Sequence, residues 1–230
     1  MQKVFNIGFP KSGTTSFEYA MDILGYKVYH GNWRLKHNDY MLALWIHRDF
    51  EEIRRMSTYW EAFADAPWGG TELYKELYQW YPDAKFIYTV RDAEDWYQSI
   101  IKMLTRYDSN LLTALDTYHA NQRYGFANFI KHTFDITNLE GVKQKMIDHY
   151  NDHYSTAIEF LKANEVDILE FDSNEGNGWN KLCSFLDKPI PKKKYPYLNK
   201  HSNLNSDPPN FLNKVRFKLK YYLKKISTDK

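Results

Sequence analysis

The residues best equipped for chemistry lie near the start of the chain, in GFPKSGTTSF (8–17). They follow a short apolar run and lead into a stretch with helical spacing, so the local order is strand, loop, helix. A loop of the G-x-x-x-x-G-K-[ST] kind holds a phosphate on backbone N–H groups and on the positive end of the following helix. Gly8 and Gly13 occupy the two glycine positions and Thr15 the hydroxyl position, with Ser12, Thr14 and Ser16 as further hydroxyl donors. The lysine is displaced, because Lys11 stands in the loop and Thr14 takes the helix-start place. A helix-start lysine spans the β and γ phosphates beside magnesium. Lys11 would approach a terminal group from the loop side instead. The plainer alternative, a polar turn that caps a helix, leaves the coincidence of both glycines with the lysine unexplained.

A second constellation is KFIYTVRDAEDWYQSI (85–100). Arg91 ends an apolar strand, at the end where open α/β sheets collect their ligands. Ser99 follows eight residues later, about two turns into the next helix. Taken alone, such a pair equally fits an arginine bonded to Asp92 or Asp95. Asp92 comes directly after an arginine, which argues against the strand-end acid of a magnesium site.

These side chains need elements to position them. KVFNIGF (3–9), YKVYH (26–30), YWEAFAD (59–65), KFIYTV (85–90) and VDILEF (166–171) have the apolar and β-branched character of strands. Helical spacing runs over 14–26 with Gly25 as a stop, over 38–57, 71–80, 93–104 and 177–186, and through most of 109–163 with a break near Asn138 and Gly141. Strands alternating with helices predict an α/β fold, a mostly parallel sheet flanked by helices. Residues 1–200 read as one such domain. Residues 201–230 read as a polar linker followed by a basic amphipathic helix over 211–226, suited either to docking on the domain or to an anionic membrane surface.

PKSGTTS followed by YTVRDAEDWYQS resembles the sulfotransferases that use 3′-phosphoadenosine 5′-phosphosulfate (PAPS), over roughly 3–105 and more loosely 176–200. The resemblance implies a P-loop-like architecture in which Lys11, Ser12, Gly13, Thr14, Thr15 and Ser16 hold the phosphosulfate. It implies that Arg91 and Ser99 hold the 3′-phosphate. GWNKLCSFLDKPIPKKKYPYLNK is similar to the closing segment of a subgroup with P-[FY]-P-x-x-N, which places Tyr197, Asn199 and Lys200 near the nucleotide. The R-K-G closing motif of the cytosolic members is absent. Those members carry a catalytic histidine two residues before a proline, where this chain has Asp65 before Pro67. Asp65 is thus the first candidate for the general base and His30, after the second strand, the next. His47, His119, His132, His149 and His153 fall in helical segments and read as surface residues.

The expected activity is metal-independent, in-line transfer of a sulfuryl group to a hydroxyl or amine. Trp33, Trp60, Trp68 and Tyr118 could stack on a sugar or aromatic acceptor, or belong to the core. With the basic tail they suggest a saccharide or lipid-linked saccharide acceptor. The alternatives are a small-molecule kinase using Mg-ATP and a non-catalytic nucleotide binder of the same fold. A net charge of +2 gives no sign of a nucleic-acid partner. The single cysteine, Cys183, excludes an internal disulfide and reads as a small core residue. With no signal-like start or membrane-length apolar run, the expected location is the cytoplasm, with peripheral contact at the inner membrane surface through 211–226.

Overall fold

In the computed structural model, β1 (Val4–Asn6) lies at the centre of a five-stranded parallel sheet. The other strands are β2 (Val28–Tyr29), β3 (Ala62–Phe63), β4 (Lys85–Thr89) and β5 (Ile168–Phe171), in the order β2-β3-β1-β4-β5. Val4 pairs with Ala62 on one side and with Lys85 on the other. The chain runs from β1 to β2 on one side and from β3 across to β4 on the other, so the direction of the connections reverses about β1, which opens a crevice beyond its C-terminal end. The described residues are 2–31, 36–106, 108–120, 124–172 and 178–198, less the side chains of 36–37, 117–120 and 124. Met1–Leu198 forms one compact unit. Asn199, Lys200 and the segment 211–226 lie outside the described residues, as does Trp33.

The helices are α1 (Thr14–Ile23), α2 (Lys36–Ile46), α3 (Phe50–Ser57), α4 (Tyr74–Trp80), α5 (Ala93–Leu104), α6 (Leu111–Ala120), α7 (Tyr124–Phe134), α8 (Val142–Ala163) and α9 (Gly178–Phe185). Successive strand residues point to opposite faces, so β1 divides its side chains between two cores. Val4 joins Phe17, Ala20 and Met21 of α1 and Leu182 and Cys183 of α9. Phe5 and Ile7 join an aromatic core with Phe63, Trp68, Phe86 and side chains from α2 through α8. Both faces of the parallel sheet are covered, as its apolar strands require. Among the described residues, no helix is long and apolar enough to cross a membrane.

Several elements are shorter than their sequence patterns. The helix expected over 38–57 is two helices, because Arg48 has φ 56° and the Asp49 side chain caps α3 by accepting the Glu52 N–H at 3.2 Å. The described residues of 109–163 carry α6, α7 and α8, with a break near Gly141. The strand expected over 59–65 has only Ala62–Phe63 in register, and Asp65 turns away with φ 66°. The helix expected from 71 begins at Tyr74, because Thr71 Oγ1 donates to the Pro67 carbonyl at 2.7 Å and accepts the Leu73 N–H at 3.1 Å.

Candidate active site

The loop between β1 and α1 lies at the sheet crevice, held from below. Phe9 is fully buried, with its ring 5.3 Å from Trp96, 5.3 Å from Tyr150 and 4.9 Å from His153 between centroids. The Trp96 Nε1–H donates to the Pro10 carbonyl at 2.9 Å. Asn6 Oδ1 accepts from the N–H groups of Gly8 at 3.1 Å and Thr89 at 3.2 Å, tying the loop to the end of β4. A Cβ on Gly8 would sit 2.5 Å from the Thr89 carbonyl oxygen, so this glycine serves strand packing. Gly13 has φ 110°, which releases the chain into α1.

That helix start is built to receive an anion. Gly13 is its N-cap, no side-chain hydrogen bond closes the end, and the first turn carries no acidic residue. First-turn N–H groups have no partner inside a helix, and the dipole is positive there. Lys11, itself at φ 75°, stands beside this end. Burial pushes its ammonium below the usual lysine range, as do Arg91 and Arg106, whereas Asp65 pulls it up.

Arg91 reaches the same place from β4. Its Nη1 donates to the Lys11 carbonyl at 3.2 Å across 80 positions of sequence. Ser99 is half-buried on α5, three residues past the buried Trp96 and so on adjoining helix surface. Ser16 and the closing segment also meet, with the Leu198 N–H donating to Ser16 Oγ at 3.0 Å. Tyr197 is half-buried there, its ring 5.0 Å from Tyr195.

One loop hydroxyl is turned inward. Ser12 is 3% exposed, its Oγ donates to the Phe9 carbonyl at 2.6 Å and lies 2.6 Å from Thr89 Oγ1, and its N–H also points to Phe9. The Ser12 hydroxyl therefore braces the loop against the end of β4.

Two carboxylates lie nearby, with Asp65 close enough to interact electrostatically with both Lys11 and Glu18. Asp65 is half-buried and its carboxyl is pushed up to about 7, first by burial and then by Glu18, against the Ala66 N–H and Lys11. Gly31 is wedged between the two acids, since a Cβ there would lie 2.8 Å from Asp65 Cβ and 3.5 Å from Glu18 Oε1. His30 is clamped, with Nδ1 3.2 Å from Glu18 Oε2 and Nε2 3.1 Å from Asp22 Oδ2. Burial opposes its charge, but bonds to Asp22 and Glu18 outweigh this and raise it to about 10. Both ring nitrogens of His30 are thus engaged by carboxylates, which places it as a partner of Glu18 and Asp22.

The chain matches the sulfotransferase domain family over residues 3–204. It belongs to that family. A curated relative, Ava biosynthesis cluster protein M of Aspergillus versicolor, is 24% identical over 218 residues, covering 85% of this chain and 80% of the relative. Membership supports a transferase activity of the sulfotransferase class.

The surroundings of the candidate site include residues that sequence spacing does not reveal. Glu18 is on an apolar helix face with nothing to mark it, and Tyr150 and Arg106 lie far along the chain. Two tryptophans considered for acceptor stacking are interior: Trp60 is 4% and Trp68 0% exposed. The Tyr118 and His119 side chains lie outside the described residues. His153 is also interior, its Nε2–H donating to the Thr71 carbonyl at 2.9 Å while Nδ1 accepts from Tyr88 at 2.9 Å, which overturns its expected surface position. Cys183 is buried, as expected. Among the described residues, no group of three or more His, Cys, Asp or Glu is arranged to hold a metal ion.

Proposed function

We propose that this sulfotransferase uses PAPS as donor and transfers its sulfuryl group to a hydroxyl or amine. The observation that carries the proposal is the bond from Arg91 Nη1 to the Lys11 carbonyl, which joins the cationic strand end to the uncapped helix start. The residues fit the donor's two anionic ends. The first-turn N–H groups of α1, Lys11, Thr14 and Thr15 would hold the phosphosulfate, and Arg91 with Ser99 the ribose phosphate. Tyr197 would lie by the nucleotide, with Asn199 and Lys200 following it in sequence. The donor supplies an activated sulfuryl group on a phosphate leaving group.

The chain's own residues then supply charge and proton transfer. Lys11 and the helix-start N–H groups, preorganised in a partly buried site, stabilise negative charge at the leaving oxygen. Asp65 takes the acceptor's proton, and a carboxyl near pH 7 is matched to that task. Glu18 raises the proton affinity of Asp65 by repulsion, and His30 holds Glu18 in place.

For the acceptor we propose a small alcohol, phenol or saccharide, including lipid-linked forms presented at a membrane surface. The name of the fungal relative, a biosynthesis cluster protein, favours including small-molecule alcohols and phenols. The donor is tested by thermal shift without added metal. 3′,5′-Adenosine bisphosphate is expected to raise the melting temperature, because a ligand selective for the folded state stabilises it. Stabilisation by Mg-ATP alone would replace the sulfotransferase with a kinase.

A further inference from the structure

Both arms of the donor site lean on one side chain. Tyr150, on α8 and 4% exposed, accepts the Arg91 N–H at 3.2 Å and donates its hydroxyl to the Arg91 carbonyl at 2.9 Å. The last ladder bond here runs from the Val90 N–H to the Phe171 carbonyl at 3.0 Å, so the sheet stops one residue short of the arginine. The Tyr150 hydroxyl satisfies both backbone groups of Arg91 as another strand would. The same ring stacks on Trp96, with centroids 4.4 Å apart and planes at 25°, and touches Phe9. Trp96 holds the Pro10 carbonyl, and Phe9 roots the anion loop.

We infer that Tyr150 is a positioning residue which sets the Arg91 guanidinium against the loop, and through it governs selectivity for a nucleotide carrying a ribose 3′-phosphate. The inference rests on the donor proposed above. Strand-end backbone is free to rotate once its ladder stops, and rotation about the Arg91 bonds would swing its long side chain away from the Lys11 carbonyl. A hydroxyl that engages both N–H and C=O removes that freedom. Burial keeps the phenol protonated, its ionisation pushed up to about 12, so the donor bond to the carbonyl persists at every working pH. Tyr150 itself touches neither nucleotide nor acceptor in this scheme. The effect of its hydroxyl passes wholly through Arg91.

Tyr150→Phe removes the hydroxyl and keeps the stacked ring. The experiment compares 3′,5′-adenosine bisphosphate with 5′-AMP by calorimetry on the wild type, Tyr150→Phe, Arg91→Ala and the double variant. A hydrogen bond lost at this position should weaken bisphosphate binding about three- to tenfold, leave 5′-AMP binding unchanged, and add nothing in the Arg91→Ala background. Turnover at saturating donor should stay close to wild type while the donor KM rises. A merely structural role would weaken both nucleotides alike, or show only as a lower melting temperature, and either result overturns the inference. Trp96→Phe provides the complementary case: it frees the Pro10 carbonyl and should weaken both nucleotides in parallel. If wild type prefers the bisphosphate and Arg91→Ala loses that preference while Tyr150→Phe keeps it, only the role of Tyr150 fails. If wild type shows no preference at all, the donor and this inference fall together.

Discussion

Asp65 occupies an uncomfortable position, and its discomfort is measurable. Its backbone is at φ 66°, where asparagine is better tolerated than most residues, and its carboxyl is raised to about 7 by burial and by Glu18. A group with a raised folded pKa stabilises the fold below its unfolded value and loses that contribution as pH rises through the folded one. Ionised Asp65 therefore works against stability at pH 8. Asp65→Asn should cut turnover severely, abolish the rise in rate through pH 7, and leave bisphosphate affinity within about twofold, since under the proposed mechanism it removes only the proton acceptor. The same variant should melt higher than wild type at pH 8, read by calorimetry. Full activity in Asp65→Asn would send the search for the base elsewhere. Under the same proposal Lys11→Ala removes a preorganised cation from the leaving group, and turnover should fall about 10²–10³-fold in a saturated assay.

At the level of elements, what sequence reveals follows the range of the interactions. The helix over 93–104 is legible because Asp92 caps it by accepting the Asp95 N–H and its apolar residues recur at helical spacing, all within one segment. Arg91 and the 8–17 loop are legible for the same reason: their spacing is local. The break at Arg48 and Asp49 is weaker in the pattern, because apolar residues continue on both sides and only the backbone shows the left-handed turn. That break is testable. Asp49→Ala removes the α3 cap and should cost about 1 kcal/mol in urea unfolding without touching nucleotide binding. Tyr150, Glu18 and His153 are illegible for a different reason. Their partners are 59, 13 and 82 positions away, at Arg91, Gly31 and Thr71, so no local period encodes them.

For the molecule as a whole, buried titrating groups set the pH window of stability. His153 is held neutral in the aromatic core, and burial lowers it from 6.5 to about 4. Its protonation is favoured in the unfolded chain below 6.5, so stability falls as pH drops from 6.5 through 4, by roughly 3 kcal/mol at the limit. His30 acts on the other side. Its folded value is about 10, so its contribution is complete below 6.5 and is lost as pH rises through 10. Protonation of Asp65 works the other way over the same range and is common to both proteins, so between pH 7 and pH 4.5 the urea midpoint of His153→Gln, though it starts lower, should rise relative to that of wild type as pH falls.

The seating of Phe9 carries a practical implication for anyone altering this enzyme. A residue of the anion loop is planted among rings contributed by α5, α7 and α8, so the mouth of the crevice and the deep interior share one foundation. Repacking substitutions chosen only for thermal tolerance, at Phe134 for instance, will surface in screens as changes in nucleotide affinity. Selection for tighter donor capture will in turn return changes nowhere near the solvent.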